Sequence, residues 1–189
     1  MTRTQYYAAM SLDGFIAEGD DTIDWLTDYQ GGYDGSDAVP MKGSYDRFYE
    51  DVGAMVSGST TYEWVVENVD EWAYPGKPFW VLTSRELPVP EGDDVDVRFA
   101  RGDVRDLQAQ IIESAGERHL WLVGGGNVVS QFADEGLLDE VVVTVVPVVL
   151  GTGKPLFDRR LPGDPMQLTG TRAFDNGMVE LRYSVKRRD

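Results

Sequence analysis

The sequence predicts an α/β fold with a central, mixed and mostly parallel sheet, helices on its faces and an antiparallel C-terminal hairpin. Three observations lead to this prediction. Segments with strand and helix patterns alternate up to about residue 140, as in parallel sheets. The run DEVVVTVVPVVLG (139–151) is mostly β-branched, which is typical of an interior strand covered on both faces. After it, Asn176-Gly177 separates two further strand segments and favours a type I′ hairpin turn.

The N-terminal part of the chain is expected to open with a strand, QYYAAM (5–10), that runs into a loop, SLDGFIAEGDD (11–21). The segment from Asp34 to Gly43 is polar and rich in glycine, so it is also predicted to be a loop. A helix is predicted from about Ser44 to Asp51.

The middle of the chain alternates between strands and helices. A short strand from Ala54 to Ser57 leads into a helix within SGSTTYEWVVENV (57–69). PFWVLTS (78–84) and VDVRFA (95–100) are predicted to be the next two strands. DVRDLQAQIIESAG (103–116) predicts a helix, because its apolar residues fall on one side: Leu107, Ile111, Ile112 and Ala115.

Three consecutive glycines interrupt the segment HLWLVGGGNVVSQFADEGLLDE (119–140). HLWLV suits a buried strand, and the residues after the glycines predict a helix with apolar residues near helical spacing: Val128, Val129, Phe132 and Leu137. Glycine is unfavourable inside either element, so the triplet marks a junction. The free N–H groups at the start of such a helix can hold a phosphate, but a tight turn explains the glycines equally well.

Two other predicted strand ends carry similar residues. Gly58 precedes the hydroxyls of Ser59 to Thr61, which either cap a helix or bind phosphate, and capping is the better interpretation of this stretch alone. Thr83-Ser84-Arg85 is either a surface turn or a phosphate site. The carboxyl ends of parallel strands lie at one edge of a sheet, so the three ends together fit the three phosphates of NADPH. The Rossmann glycine pattern is absent, since Val129 stands in place of its third glycine.

Composition limits the class of protein. The 189 residues are enough for one well-packed core, so we expect a single domain over residues 1–189. A net charge of −16 argues against nucleic acid or an anionic membrane as a partner. The chain has no cysteine and no export signal, which predicts a cytoplasmic protein. No metal is expected, because an acidic group lacks the spacing of a calcium loop and is predicted to be solvated: Glu18, Asp20, Asp21 and Asp24.

Several phrases of the sequence, in this order, resemble the dihydrofolate reductase fold: YYAAMSLDGFIA, DWL, VSGSTTYEWV, FWVLTS, LVGGGNVVSQF and VVVTVVPVVLGTGKPLF. Two of them, SLDGFIA and PVVLGTGKPLF, look more like the reductase domain of riboflavin biosynthesis, the RibD C-terminal-domain-like proteins. The resemblance spans nearly the whole chain. It implies a three-layer fold, NADPH as cofactor, reduction of a pterin or a ribosylated pyrimidine, and a homodimer.

Carried over residue by residue, the resemblance implies that the three strand ends hold the cofactor, with Arg85 on the 2′-phosphate and a cis peptide between Gly125 and Gly126. The implied cofactor-binding residues are Ala9, Gly58, Ser59, Thr60, Thr61, Thr83, Ser84, Arg85, Val123, Gly124, Gly125, Gly126, Asn127 and Val128. The implied substrate-binding residues are Ser11, Trp25, Phe48 and Tyr49, and the candidate catalytic residues are Asp13 and Thr144. The residues themselves leave two alternatives, since Asp13 also fits a turn aspartate and Trp25 a core residue.

The sequence departs from the family pattern at two places. Dihydrofolate reductases have an acid near the start of the first long helix, where this chain has Ser44 or Tyr45. The zinc deaminase that accompanies the riboflavin reductase domain is excluded, because the chain has no cysteine and only one histidine, His119. Basic residues that could hold a ribityl phosphate are sparse, and Arg47 and Lys154 are the candidates.

These observations predict an NADPH-dependent reductase that transfers a hydride to a C=N or C=O bond of a flat heterocycle. Two other hypotheses remain. A nucleotide-binding protein that has lost turnover would bind the cofactor without oxidising it, and the missing helix acid makes this hypothesis credible. An unrelated α/β phosphate-binding transferase would show no preference for the nicotinamide dinucleotide.

Overall fold

The computed structural model describes residues 2–29, 42–69 and 71–186. Its elements in chain order are β1 Thr4–Ser11, β2 Phe15–Ala17, α1 Asp24–Thr27, α2 Lys42–Glu50, β3 Val52–Gly58, α3 Ser59–Asn68, β4 Phe79–Leu82, β5 Val97–Ala100, α4 Val104–Ser114, β6 His119–Gly124, α5 Gly126–Asp134, β7 Glu140–Val146, β8 Lys154–Pro155, β9 Gln167–Ala173 and β10 Val179–Ser184. Most of the polar segment predicted from Asp34 to Gly43 lies outside the described residues.

Eight strands form one sheet in the order β5-β4-β3-β6-β1-β7-β10-β9. Neighbouring strands from β5 to β7 are parallel, whereas β10 is antiparallel to both β7 and β9. Strand β7 lies inside the sheet between β1 and β10, as its β-branched sequence predicts. The mixed, mostly parallel sheet confirms the predicted α/β class.

Alternate strand residues pack against helices on opposite faces of the sheet. On one face, which we call the α4–α5 face, Tyr6 shares a core with helix residues such as Phe132. On the other, the α2–α3 face, Tyr7 packs with Phe48 of α2 and with residues of α3. Helix α1 extends the second face through Leu26. The three layers agree with the fold that the resemblance implies.

Strands β3 and β6 are neighbours, but the chain leaves them in opposite directions. Helix α3 leads from β3 to β4, whereas α5 leads from β6 past β1 to β7. Because crossovers between parallel strands are right-handed, α3 and α5 lie on opposite faces of the sheet. A crevice therefore forms outside the carboxyl ends of β3 and β6, which is where α/β sheets usually bind ligands.

The C-terminal hairpin is present, but the predicted type I′ turn is wrong. The Gly177 N–H donates to the Phe174 carbonyl at 3.0 Å, and the Phe174 N–H donates to the Met178 carbonyl at 2.9 Å. Among the residues of this loop only Gly177 has a positive φ, of +86°, whereas a type I′ turn needs two such residues. A three-residue loop with glycine at its last position connects the strands instead.

Two other expectations need correction. Leu137 does not continue α5, because the helix ends at Asp134 and the Leu137 N–H returns to the Phe132 carbonyl at 2.8 Å. The segment 11–21 is not all loop, since β2 pairs with β8 in a separate two-stranded sheet. Sequence periodicity could not reveal this strand, because its partner lies far along the chain.

Candidate functional site

The crevice between α3 and α5 is built from two strand ends that lie side by side. Ser57 of β3 pairs with Gly124 of β6, and both strands end within one residue of this pair. The residues before each helix, Gly58 and Gly125, provide no side-chain cap. Each helix start therefore presents unpaired backbone N–H groups, and the helix dipole adds partial positive charge. Two such starts at one crevice form a site suited to an anion.

Glycine keeps this crevice open. A Cβ atom at Gly58 would lie 3.3 Å from Val128 Cγ2 of α5, which is tighter than ordinary van der Waals contact. A Cβ atom at Gly124 would lie 3.4 Å from the Thr61 hydroxyl oxygen of α3. Side chains at these positions would fill the space between the two helix starts, so the glycines make a close approach of a ligand to the backbone possible.

The peptide bond between Gly124 and Gly125 is cis, one bond before the position that the resemblance implies. The expectation of a cis bond between Gly125 and Gly126 is therefore wrong. Gly124 still belongs to the strand, and Gly126 already belongs to α5. The irregular bond lies between the strand and the residue that precedes the helix, whereas the expected position would have been at the helix itself.

Asn127 has a different partner from the expected ligand. Its side-chain amide donates to Asp158 Oδ2 at 2.9 Å, and the buried Ser130 hydroxyl donates to Asp158 Oδ1 at 2.6 Å. These bonds fasten α5 to the segment after β8. The Asn127 side chain is therefore engaged within the protein, and its cofactor role stays a prediction.

Arg85, at the third strand end, forms a two-pronged ion pair with Glu63 of α3. The Thr83 hydroxyl accepts a hydrogen bond from the Arg85 N–H at 3.0 Å and so shapes the turn. The Arg85 side chain is 56% exposed, so water screens the pair. An anion that approached Arg85 would compete with the Glu63 carboxylate.

Asp13 ties the loop after β1 to the loop after β7. Its Oδ1 accepts hydrogen bonds from the Ser11 hydroxyl at 2.7 Å and the Leu150 N–H at 3.1 Å, and its Oδ2 accepts one from the Gly151 N–H at 2.7 Å. The hydrogen bond from Ser11, with those from the two backbone N–H groups, lowers the pKa of Asp13 below its usual value. The two phrases that look most like the riboflavin reductase domain thus contact each other.

The implied substrate residues gather on the α2–α3 face. Thr144 lies opposite Ala9 in the register of β1 and β7, so their side chains share this face. Phe48 is buried against Tyr7 with ring centroids 4.2 Å apart. Trp25 packs in the cluster that contains Ala9, so it has a core contact as well as the implied position near the substrate.

Polar atoms on this face lack partners. Among the described residues, the buried side-chain oxygen and nitrogen atoms without a hydrogen bond are Gln5 Oε1, Tyr7 Oη, Trp25 Nε1, Tyr49 Oη, Ser57 Oγ and Thr144 Oγ1. Buried polar groups are nearly always paired in folded proteins. A cluster of exceptions therefore indicates a place where a ligand or water completes the bonding.

Sequence reasoning missed a cavity of about 530 Å³ on the same face, between α2 and the strands β9 and β10. Four arginines line it: Arg3, Arg47, Arg172 and Arg182. Of the two basic residues expected near a phosphate, Arg47 belongs to this group, whereas Lys154 pairs with Asp21 elsewhere at 3.4 Å. The arginines come from three distant parts of the chain, the N-terminus, α2 and the C-terminal hairpin, so no local motif could have revealed the cavity.

The cavity also contains a buried carboxylate, Glu180 of β10, which the sequence analysis did not single out. The only signal for it was a charged residue within the alternating pattern of the last strand, which is equally typical of an exposed position.

No helix in the described part of the chain is long and apolar enough to cross a membrane. Within those residues no group of three acidic or histidine side chains is arranged to hold a metal ion.

Comparisons with known proteins agree with this architecture. The chain is 34% identical to the uncharacterized protein YwjB of Bacillus subtilis over 96% of its own length and 97% of that protein. A structure from Shewanella sp. PV-4, provisionally assigned to riboflavin biosynthesis, has a TM-score of 0.81 and 28% identity and covers 98% of this chain and 100% of that one.

More distant structures share the fold. The deaminase and 5-amino-6-(5-phosphoribosylamino)uracil reductase of Thermotoga maritima has a TM-score of 0.64 at 16% identity, over 98% of this chain and 57% of that one. Dihydrofolate reductase of Enterococcus faecalis with NADP(H) has a TM-score of 0.58 at 15% identity, over 99% of this chain and 97% of that one. The model of the RibD C-terminal domain matches residues 4–180. The chain therefore belongs to the RibD C-terminal domain family.

Proposed function

We propose that this protein is an NADPH-dependent reductase of a flat nitrogen heterocycle, either a pterin or a ribosylated pyrimidine. The observation that carries the proposal is the pair of uncapped helix starts at the crevice between β3 and β6. Membership of a reductase-domain family and the likeness to reductases of known fold support an oxidoreductase. The choice of NADPH as cofactor and of a pterin or a ribosylated pyrimidine as substrate belongs to the proposal itself.

The crevice fits a dinucleotide. Its backbone donors at Gly58 to Thr61 and at Gly124 to Asn127 suit a pyrophosphate, whereas the Val128 N–H already donates to the Gly125 carbonyl at 3.1 Å. A Cβ atom at Gly58 or Gly124 would intrude on that space. Thr83 to Arg85 would hold the 2′-phosphate, with Arg85 exchanging Glu63 for the phosphate. Ala9 would line the nicotinamide pocket. When bound, NADPH supplies the hydride, and the protein supplies orientation and exclusion of water.

The α2–α3 face would hold the substrate. Thr144 and Ala9 form its floor, and Trp25, Phe48 and Tyr49 form apolar walls. The neighbouring cavity is lined by four arginines and by three carboxylates, Asp51, Glu140 and Glu180, and this excess of one positive charge fits a substrate that carries an anionic group at one end. A ribosylated pyrimidine with a phosphate has this character.

Asp13 and Ser11 would hold the loop after β1 in place over the site. The lowered pKa of Asp13 means that its carboxyl group is ionised at neutral pH, so it has no proton to donate there. Its bonds to Leu150 and Gly151 instead fix the position of residues 11–17. We therefore assign the proton of the reaction to water.

A tryptophan-quenching titration with NADPH and, in parallel, NADH tests the proposal. Saturable binding that prefers NADPH, followed by oxidation of NADPH with a pterin or a phosphorylated ribosyl pyrimidine, would support it. Binding without oxidation by any heterocycle would favour a nucleotide-binding protein without turnover. Binding of neither dinucleotide would contradict the reductase. The single domain and the homodimer remain predictions, which light scattering on the purified protein tests.

A further inference from the structure

Glu180 is a charged residue in an unusual place. It belongs to β10, and its side chain is only 3% exposed. Its Oε2 accepts a hydrogen bond from the Ser44 hydroxyl at 2.7 Å, and its Oε1 accepts one from Arg182 Nε at 3.0 Å. Carboxylates are rarely buried unless they are paired or serve a ligand. These bonds link the start of α2 to β10.

The register of the sheet puts Glu180 in one row with Ala9, the residue that would line the nicotinamide pocket. Ala9 pairs with Thr144 of β7, and Thr144 pairs with Glu180 of β10. Side chains of directly paired residues share one face and are close neighbours. Adjacent strands lie about 4.8 Å apart, so Glu180 is roughly 10 Å from Ala9 across the sheet. Thr144 therefore lies between Ala9 and Glu180 on one face of the sheet.

Two hydroxyl groups next to Glu180 have no partner among the described residues. They are Thr144 Oγ1 and Tyr7 Oη. Thr144 is 1% exposed and Tyr7 is 4% exposed, so the protein buries both without satisfying them. Burial, and then the negative charge of Glu180, raises the pKa of Tyr7, whereas Arg182 and the Ser44 hydroxyl lower it, so the Tyr7 hydroxyl lies close to Glu180 and to both of its partners. The unpaired atoms and the carboxylate thus belong to one polar patch.

The carboxylate retains capacity for a ligand. An ionised carboxylate has about four lone-pair sites, and the bonds from Ser44 and Arg182 use two or three of them. Because Glu180 also lines the cavity, a ligand in the cavity can reach it. A carboxylate beside a hydroxyl acceptor recognises neighbouring N–H donors on the edge of a flat ring.

We propose that Glu180 is a substrate-binding residue that, together with Thr144, accepts two neighbouring N–H groups from the substrate ring. The inference rests on the proposed reductase function and narrows its substrate to heterocycles with an amino group next to a ring N–H or protonated ring nitrogen. The start of α2 contributes Ser44 rather than an acid, and the last strand of the sheet supplies the carboxylate.

The test uses the purified full chain and 2,4-diaminopyrimidine as the probe, with 2,4-dimethoxypyrimidine as the matched compound without N–H donors. Backbone amide chemical shifts report binding of each compound. We expect the diamino compound to bind and the dimethoxy compound not to bind. Glu180→Gln should raise the dissociation constant of the diamino compound roughly tenfold or more, because a charged hydrogen bond is lost. Glu135→Gln, which removes another arginine-paired carboxylate at the surface, should not change it.

A second variant keeps the test valid if Glu180→Gln does not fold. Thr144→Val removes a buried hydroxyl that has no partner, so the protein should fold at least as well, yet its affinity for the diamino compound should fall several-fold. No binding of this compound to the wild type, or unchanged affinity in both variants, would overturn the inference. NADPH titrations of the same proteins separate the two proposals. If NADPH binds but the diamino compound does not, only the role of Glu180 and Thr144 in substrate binding is refuted. If the diamino compound binds but NADPH does not, only the proposed reductase function is refuted.

Discussion

Among the described residues, the buried side-chain polar atoms without a partner lie on the α2–α3 face of the sheet, whereas the buried polar side chains of the α4–α5 face are paired. Other polar atoms of the α2–α3 face are paired too, such as Trp121 Nε1, which donates to the Tyr7 carbonyl at 3.1 Å. On the α4–α5 face, Tyr6 Oη donates to the Leu156 carbonyl at 3.2 Å, and Trp80 Nε1 donates to the Ser114 hydroxyl at 2.9 Å. On the α2–α3 face, Tyr7, one residue from Tyr6, has a buried hydroxyl without a partner, and so does Thr144. Both faces are covered by helices and both contain an apolar core.

The contrast separates packing from function. A face that serves only stability can satisfy each polar atom when the chain folds, because the protein supplies all the partners. A face that receives a ligand keeps donors and acceptors free in the absence of that ligand, at a cost in stability. The α4–α5 face follows the first pattern and the α2–α3 face the second. Substitutions should therefore affect stability on the first face and binding on the second.

The largest expected effect is a loss of stability on the α4–α5 face. Leu122 is fully buried there, so Leu122→Ala should lower the free energy of unfolding by about 3 kcal/mol through lost burial and a residual cavity. Urea denaturation measures this change. Leu168→Ala is the control, since Leu168 is 51% exposed and should change stability by less than about 0.5 kcal/mol. A similar loss in both variants would mean that this face is not the main core.

The next effect concerns the crevice where the two faces meet at the carboxyl edge. Gly58→Val should weaken NADPH binding by roughly a hundredfold, because steric overlap with Val128 and the displaced backbone donors each cost about tenfold. The fold should persist, since the φ of −86° at Gly58 suits valine. Gly19→Val is the control, because a Cβ atom there meets open space. Equal affinities of the two variants would show that the cofactor binds elsewhere.

A pair of hydroxyl deletions compares the two faces directly. Ser130→Ala in α5 removes a bond to Asp158 and should cost about 1 kcal/mol in the free energy of unfolding. Thr144→Val removes an unpartnered hydroxyl and should cost nothing or stabilise the protein slightly. Thermal and urea denaturation of both variants measures the difference. If Thr144→Val were the more damaging of the two, the contrast between the faces would fail.

A smaller effect is expected at the ion pair that α3 makes near the crevice. Glu63→Gln should free Arg85 and increase affinity for NADPH by about threefold, while affinity for NADH changes little. Arg85→Ala should remove the preference for NADPH. Because the pair is exposed, both effects should shrink at high salt. Equal changes for the two dinucleotides would exclude Arg85 from the 2′-phosphate site.

Alkaline pH should affect both faces alike and has no effect near neutrality. Burial raises the pKa of Tyr6 and of Tyr7 above the usual value near 10. A raised pKa in the folded state stabilises the protein fully below pH of about 10, and this contribution is lost as the pH rises further. Absorbance at wavelengths specific for tyrosinate should show these residues titrating only as the protein unfolds. Early titration of Tyr7 alone would mean that the α2–α3 face is open to water.

The sequence predicted the parts of the molecule that depend on neighbours along the chain. Hydrophobic periodicity identified the eight strands of the main sheet and helices α2 to α5, but not β2, β8 or α1. The glycines at 58 and 124–126 marked the two strand-to-helix junctions that form the crevice. The hairpin was expected at Asn176-Gly177, but its turn type was not, because the strand register adds a third residue to the loop.

The parts that depend on distant residues could not be predicted. Arg85 looked free in the sequence, but α3 brings Glu63 to it. Asp13 looked like a local turn residue or a proton donor, and besides its local bond from Ser11 it accepts two bonds from backbone N–H groups more than 130 residues away. Glu180 looked like an exposed strand residue until α2 covered it with Ser44. Tertiary pairing decided each case, and no local pattern records it.

The central claim is that NADPH binds where the α3 and α5 helix starts meet. Backbone amide chemical shifts, recorded during an NADPH titration of the isotope-labelled protein, test this claim most directly. The account predicts the largest shifts at the N–H groups of residues 58–61 and 124–128, with smaller shifts at residues 83–85. Shifts confined to the arginine-lined cavity, or no shifts at saturating NADPH, would contradict it.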